Sequence, residues 1–164
     1  MSKCKFILDT NIILTAYQRY YAFDIAPTFW LRLNERAETG EWAIIDMVKD
    51  ELSRQQDSIS EWIKEQYRGE ILPSNQINVI DAYSEIITAV QQNARYKESA
   101  KQTFADCADS WLVAHGRANN LCIVTEETFK QEAIRRVMIP NECAVHNVEC
   151  IDTFEFMRRV GITM

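Results

Sequence analysis

The chain has 164 residues, 18 Lys plus Arg against 24 Asp plus Glu, and a formal charge of −6. That balance excludes a protein that grips duplex DNA through a broad basic face, because such binding runs on cations releasing counterions. With 47% hydrophobic and 26% charged residues, four Gly and three Pro, it also excludes a disordered chain, and the length predicts a single domain over 1–164 whose core needs no staples.

Lys5-Phe6-Ile7-Leu8 is a short apolar run without helical period, and Asp9-Thr10-Asn11 follow it, so it predicts a buried strand and then a turn. Pro27 opens a helix whose stripe is Phe29, Trp30, Leu33 and Ala37, and Gly40 ends it. Trp42-Ala43-Ile44-Ile45 predicts the second strand. Asp46 suits the start of a helix carrying Met47, Val48, Glu51 and Leu52, and Ser58 to Tyr67 repeats the pattern with Ile59, Trp62 and Ile63. After Gly69 and Pro73, the 3.6 period of Ile77, Val79, Ile80, Tyr83, Ile86, Ile87 and Val90 gives the clearest helix, over 75–93. Residues 95–103 are polar and basic. A second apolar helix carries Asp106, Asp109 and Trp111 to Ala114 and ends near Asn119-Asn120, ahead of the strand Leu121-Cys122-Ile123-Val124. Thr125-Glu126-Glu127 then predict a helix start. A weaker helix from about Asn141, a strand at Glu149-Cys150-Ile151 and an amphipathic end with Phe154, Met157 and Val160 complete the chain. No stretch reads as a signal peptide or a membrane span. Cys4, Cys107, Cys122, Cys143 and Cys150 form no C-x-x-C pair, which points to reduced thiols and a cytoplasmic location.

Short apolar strands alternating with helices indicate an α/β fold, a three-layer α/β/α doubly wound sandwich with a mainly parallel central sheet. Ligands of such sheets bind beyond the carboxyl ends of the strands. Asp9, Glu51, Asp109 and Glu127 stand at element boundaries near that rim. Capping or helix-start acids explain each one singly; their joint placement in four segments is harder to explain so. Gathered carboxylates raise each other's pKa and persist ionised where a cation neutralises them, and an all-oxygen set suits Mg²⁺ or Mn²⁺ rather than zinc. Such ions support phosphodiester hydrolysis, one activating water and a second, roughly 3.5–4 Å away, stabilising the leaving oxygen. The acidic total charge therefore leaves a nuclease open.

Leu8-Asp9-Thr10-Asn11, Val48-Lys49-Asp50-Glu51-Leu52, Asp109-Ser110-Trp111-Leu112-Val113-Ala114 and Val124-Thr125-Glu126-Glu127 resemble the four ordered motifs of PIN domains. Tyr20-Tyr21-x-Phe23-Asp24-x-x-Pro27-x-Phe29-Trp30 resembles the signature of a small bacterial and archaeal branch related to VapC toxins. The resemblance spans most of the chain. It implies a metal-dependent endoribonuclease acting on single-stranded RNA, frequent homodimers, and often the toxin role of a toxin-antitoxin pair with a small antitoxin partner. Position by position, Asp9, Glu51, Asp109 and Glu127 match the catalytic and metal-binding acids, although PIN domains commonly have Asp in the last place. Asn11 and Thr125 match supporting polar positions, and Asp106 is a further supporting acid one turn before Asp109.

Lys97 and Lys101, and Arg135 and Arg136, flank the last two motifs and are candidates to hold RNA phosphates. The neighbours of Trp30, Trp42, Trp62 and Trp111 predict core packing, and His115 and His146 stand apart from any ligand spacing. The aromatic segment around Tyr20 suits either the core or a patch for a second copy or an antitoxin peptide. A catalytically silent PIN-like module that binds RNA or protein is the alternative, prompted by Glu at the fourth position and by the acidic surface.

Overall fold

The computed structural model describes residues 5–163; Cys4 lies outside them. The first strand, β1 (Phe6–Leu8), is wholly buried, and Asp9 turns it into α1 (Thr10–Thr15), which continues as a π-helical turn over Ala16–Tyr20. Pro27 opens α2 (Pro27–Glu38) with its φ already set for a helix, and Gly40, at φ 84°, provides the left-handed turn into β2 (Trp42–Ile45). Helix α3 (Asp46–Ser53) follows without a linker. Helix α4 (Ser58–Glu61) runs on into a second π-helical turn, Trp62–Gln66. A two-residue strand, β3 (Ile71–Leu72), precedes α5 (Ile77–Gln92), α6 (Glu98–Asp106) and α7 (Ala108–Asn119). Then come β4 (Cys122–Val124), α8 (Ile139–Val145), β5 (Cys150–Ile151) and α9 (Thr153–Val160).

All strand pairs are parallel and the sheet order is β3-β2-β1-β4-β5. The chain winds outward from β1 to β3, then returns to build β4 and β5 on the other side of β1. This is the predicted doubly wound sheet flanked by helices, and its switch point falls between β1 and β4, where Leu8 pairs with Val124. Strands β1, β2 and β4 show no exposed residue, as a sheet covered on both faces requires.

Trp42 ties one face together: its Nε1 donates to Leu33 O of α2 at 2.8 Å and its ring meets Phe156 of α9 edge-on at 6.4 Å. On α7, Gly116 allows close packing, because a Cβ there would come within 2.6 Å of Val148 Cγ1. Asn120 ends α7 in the left-handed region, at φ 53°. A buried polar chain joins three elements. Ser74 Oγ donates to Asp46 Oδ1 at 2.5 Å and meets His115 Nε2 at 2.9 Å, so His115 serves the interior of the fold.

Three local expectations change. Strand β3 was not anticipated. The polar stretch before Asp109 contains α6, which buries Ala100, Lys101 and Phe104. No helix starts at Thr125: residues 125–138 form an irregular segment. Trp30, Trp42 and Trp62 are core residues, while Trp111 is half-buried and stacks on Tyr83 at 3.9 Å. Among the described residues, no helix is long and apolar enough to cross a membrane.

Candidate functional site

Asp9 leaves the carboxyl end of β1 beside the switch point. Its backbone N–H donates to Val124 O at 2.9 Å, and its side chain makes no cap hydrogen bond to α1, so the carboxylate is not spent on capping. The residue is 2% exposed. Thr125 Oγ1, from the end of β4, donates to Asp9 Oδ2 at 2.9 Å.

Glu51 reaches in from α3. Thr10 Oγ1 donates to its Oε2 at 2.6 Å and Ala108 N, the first residue of α7, donates to its Oε1 at 3.2 Å. It thus links α1 to the start of α7 and meets the positive end of that helix. Asp109 follows in the first turn of α7, with a side chain 18% exposed. Glu127 lies two residues beyond Thr125. Its N–H donates to Thr125 Oγ1 at 3.1 Å, and its carboxylate accepts from Ile139 N at 3.0 Å and from Arg136 Nη2 at 2.8 Å.

Burial pushes the Asp9 carboxyl up to about 7; Asp109, Glu127 and Glu51 add repulsion, and the Thr125 hydroxyl opposes them. Asp109 is pushed up to about 6, first by burial and then by Glu127, with Arg136 opposing. Asp9 thus feels the other three acids, and Asp109 feels Glu127 and Glu51. Burial and Asp109 push the neighbouring Cys107 thiol up to about 12, which leaves it protonated and removes a soft thiolate from the donor set. Among the described residues, no three His, Cys, Asp or Glu side chains are arranged to grip one ion. The chemistry of the donors, buried carboxylates in mutual repulsion, nonetheless fits a hard divalent cation. A carboxylate oxygen that accepts one hydrogen bond keeps a second lone pair.

The supporting residues divide. Thr125 holds Asp9. Asn11 is exposed and, among the described residues, makes no hydrogen bond to the acids; Thr10, its neighbour, holds Glu51 instead. Asp106 ends α6, a different helix from that of Asp109, is exposed, and accepts from Gln102 Nε2 at 2.7 Å. Lys101 does not face a substrate: it is 4% exposed and its Nζ donates to Gln91 O at 2.9 Å and to Glu98 Oε1 at 3.1 Å. Lys97 is exposed at the start of α6, where its N–H donates to Ile134 O in the segment bearing Arg135 and Arg136. Both arginines border a crevice of about 180 Å³ beside Asp109. The contributions of Ala108 N and Ile139 N carry no sequence signal, because they are backbone donors brought in by the fold.

Away from the acids, Tyr21 and Phe23 of the aromatic segment pack against Phe29 and Trp30, while Tyr20, Ile25 and Leu31 are exposed. A groove of about 560 Å³ between α2 and α4 runs past Phe23, Leu31 and Trp62, with Glu61 and Glu65 on its rim.

The sheet order and the winding give an α/β fold of the PIN-like kind, and solved structures share it. VapBC2 from Rickettsia felis, solved bound to a DNA fragment from their promoter, aligns at 18% identity and TM-score 0.57, covering 90% of this chain and 97% of that one. FitAcB from Neisseria gonorrhoeae aligns at 14% identity and TM-score 0.53, covering 89% and 96%. No curated protein matches the sequence significantly. Residues 6–164 match the family described as "Domain of unknown function (DUF4411)", and the chain belongs to that family.

Proposed function

We propose that this protein is a Mg²⁺- or Mn²⁺-dependent endoribonuclease that hydrolyses phosphodiester bonds of single-stranded RNA. The observation that carries the reading is the convergence of acids from four chain segments on the carboxyl rim of a parallel sheet, where burial and mutual repulsion raise Asp9 and Asp109 together. Asp9, Glu51 and Asp109 are the residues that would hold the ion. When bound, it supplies Lewis-acid charge against the phosphate and lowers the pKa of an attacking water. Thr125 and Thr10 fix the orientation of Asp9 and Glu51, so the carboxylates need little reorganisation as the reaction proceeds. Water adds to phosphorus and the bond to the leaving oxygen breaks. No side-chain nucleophile is needed. Arg135 and Arg136, with Lys97 farther along the same side, receive substrate phosphates.

Within this reading the single domain works in the cytoplasm as the toxin of a toxin-antitoxin pair, as a homodimer, with the exposed Tyr20, Ile25 and Leu31 edge available to a small antitoxin or a second copy. The silent binding module is favoured by one observation, the absence among the described residues of three acids poised on one point. It predicts RNA or protein binding that survives EDTA.

Cleavage of a single-stranded RNA in Mn²⁺ by the wild type, by Asp9→Asn and by the wild type in EDTA separates the two. The nuclease reading expects cleavage by the wild type alone, with a loss of at least about 100-fold in the variant. Equal cleavage by wild type and variant sinks it.

A further inference from the structure

The four acids share their site with a cation of the chain's own. Arg136 Nη2 is 2.8 Å from Glu127 Oε2 and 3.9 Å from Asp109 Oδ2. Of the two ion-paired side chains, Glu127 is the buried one, 7% exposed against 57% for Arg136. Its other oxygen accepts from Ile139 N at 3.0 Å. Glu127 is therefore a fixed post, and Arg136 is the group it presents to the site. The segment bearing them is pinned from several sides: Glu127 N to Thr125 Oγ1, Lys97 N to Ile134 O, and a two-way link in which Lys130 N donates to Asn141 Oδ1 and Asn141 Nδ2 to Lys130 O. These bonds fix the backbone that carries Glu127, and the Glu127 carboxylate in turn orients the guanidinium.

A divalent ion between Asp109 and Glu127 would sit within a few ångströms of this guanidinium, and like charges at that spacing in a half-buried site repel strongly. A guanidinium already there can do part of what such an ion does. Its planar paired donors match two oxygens of one phosphate, and it offsets charge as the bond to the leaving oxygen breaks, without giving or taking a proton. The extra methylene of Glu127, relative to the Asp usual in the resembling motif, gives it reach toward Arg136 and Ile139 N.

We propose that Arg136 is the built-in second cation of the site: Glu127 holds its guanidinium beside Asp109 to receive the scissile phosphate, and each chain takes one divalent ion, through Asp9, Glu51 and Asp109. The inference rests on the nuclease reading above, and deepens it by assigning Glu127 to positioning Arg136.

Mn²⁺ titration followed by the electron paramagnetic resonance of the free ion gives the stoichiometry directly, on the full chain, for wild type, Arg136→Met and Arg136→Lys. Melting curves in EDTA verify that the variants, altered at an exposed side chain, are folded. The wild type and Arg136→Lys are expected to bind one Mn²⁺ per chain and Arg136→Met two, because removing the charge frees the place beside Asp109. In RNA cleavage at the wild type's saturating Mn²⁺, kcat is expected to fall about 100-fold in Arg136→Met, with a smaller change in KM and partial recovery in Arg136→Lys. Two Mn²⁺ bound to the wild type, or only one to Arg136→Met, overturns the proposal and leaves the metal-dependent nuclease standing. Absence of Mn²⁺ binding by the wild type overturns the nuclease reading itself, and this proposal with it.

Discussion

Asp9 sits where a carboxylate is least comfortable, 2% exposed and facing three other acids, and its folded-state pKa of about 7 lies far above the ordinary 3.8 of an aspartate. Between those values the folded chain holds a proton that the unfolded chain has lost, so the stabilisation present in acid disappears as pH rises through about 7. His115 works in the opposite sense: burial lowers it to about 4 from 6.5, so it costs stability as pH falls from 6.5 toward 4. Above pH 6.5 the acids dominate. In EDTA the wild type is expected to lose on the order of 1–2 kcal/mol between pH 6 and 8, and Asp9→Asn distinctly less, by urea denaturation at each pH. Equal slopes for the two proteins would contradict the burial of this charge. Lys101 offers a contrast. Its buried ammonium holds α6 to Gln91 O, so Lys101→Ala should lower stability by about 1–3 kcal/mol while leaving RNA affinity within about twofold of wild type. A loss of affinity in a fully folded variant would return Lys101 to the substrate side.

At the scale of elements, the apolar runs were legible because a parallel sheet covered on both faces needs uninterrupted hydrophobic strands; Trp42–Ile45 appears with the boundaries its sequence predicts. Strand β3 was not legible, since two residues, one of them the exposed Ile71, carry no period. Helix α6 was hidden because its buried stripe includes Lys101, a residue read by type as solvated. The helix expected at Thr125 does not form even though Thr125 Oγ1 accepts from Glu127 N as a cap would; the same hydroxyl donates to Asp9, and the carboxylate of Glu127 turns to Ile139 N and Arg136. Residues that could open a helix serve the site instead. The candidate acids Asp9, Asp109 and Glu127 were legible as residues next to element ends, Glu51 lies inside α3 rather than at its boundary, and Thr10 could not be told from Asn11 without knowing which one faced α3.

The junctions between elements can be tested too. Asn120 closes α7 in the left-handed region, so Asn120→Gly should match or slightly exceed wild-type stability and Asn120→Val should cost about 1–2 kcal/mol, by urea denaturation. Ser74→Ala strips a partner from Asp46 and from His115, whose Nδ1 has no partner among the described residues, and should cost about 1–3 kcal/mol in the same assay.

For the whole molecule, the formal charge of −6 divides into a surface of mixed sign and one acidic rim at the switch point. The four acids there make up most of the excess, so the charge argues against extensive duplex binding but not against RNA reaching a site whose carboxylates are neutralised. The sheet order places β1 at its centre, and every site acid is held by the ends of β1 and β4 or by α3, α7 and the irregular segment that surround them. A ligand at this rim therefore ties both halves of the winding together and should stabilise the whole chain.

That coupling provides the most direct test of the account. At pH 7.5, Mn²⁺ at about 100 times its dissociation constant should raise the melting temperature of the wild type by roughly 5–10 °C, while Asp9→Asn and Asp109→Asn should move by less than about 2 °C. An unchanged wild-type melting temperature at millimolar Mn²⁺, or equal shifts in all three proteins, would contradict the claim that these acids form a divalent-metal site.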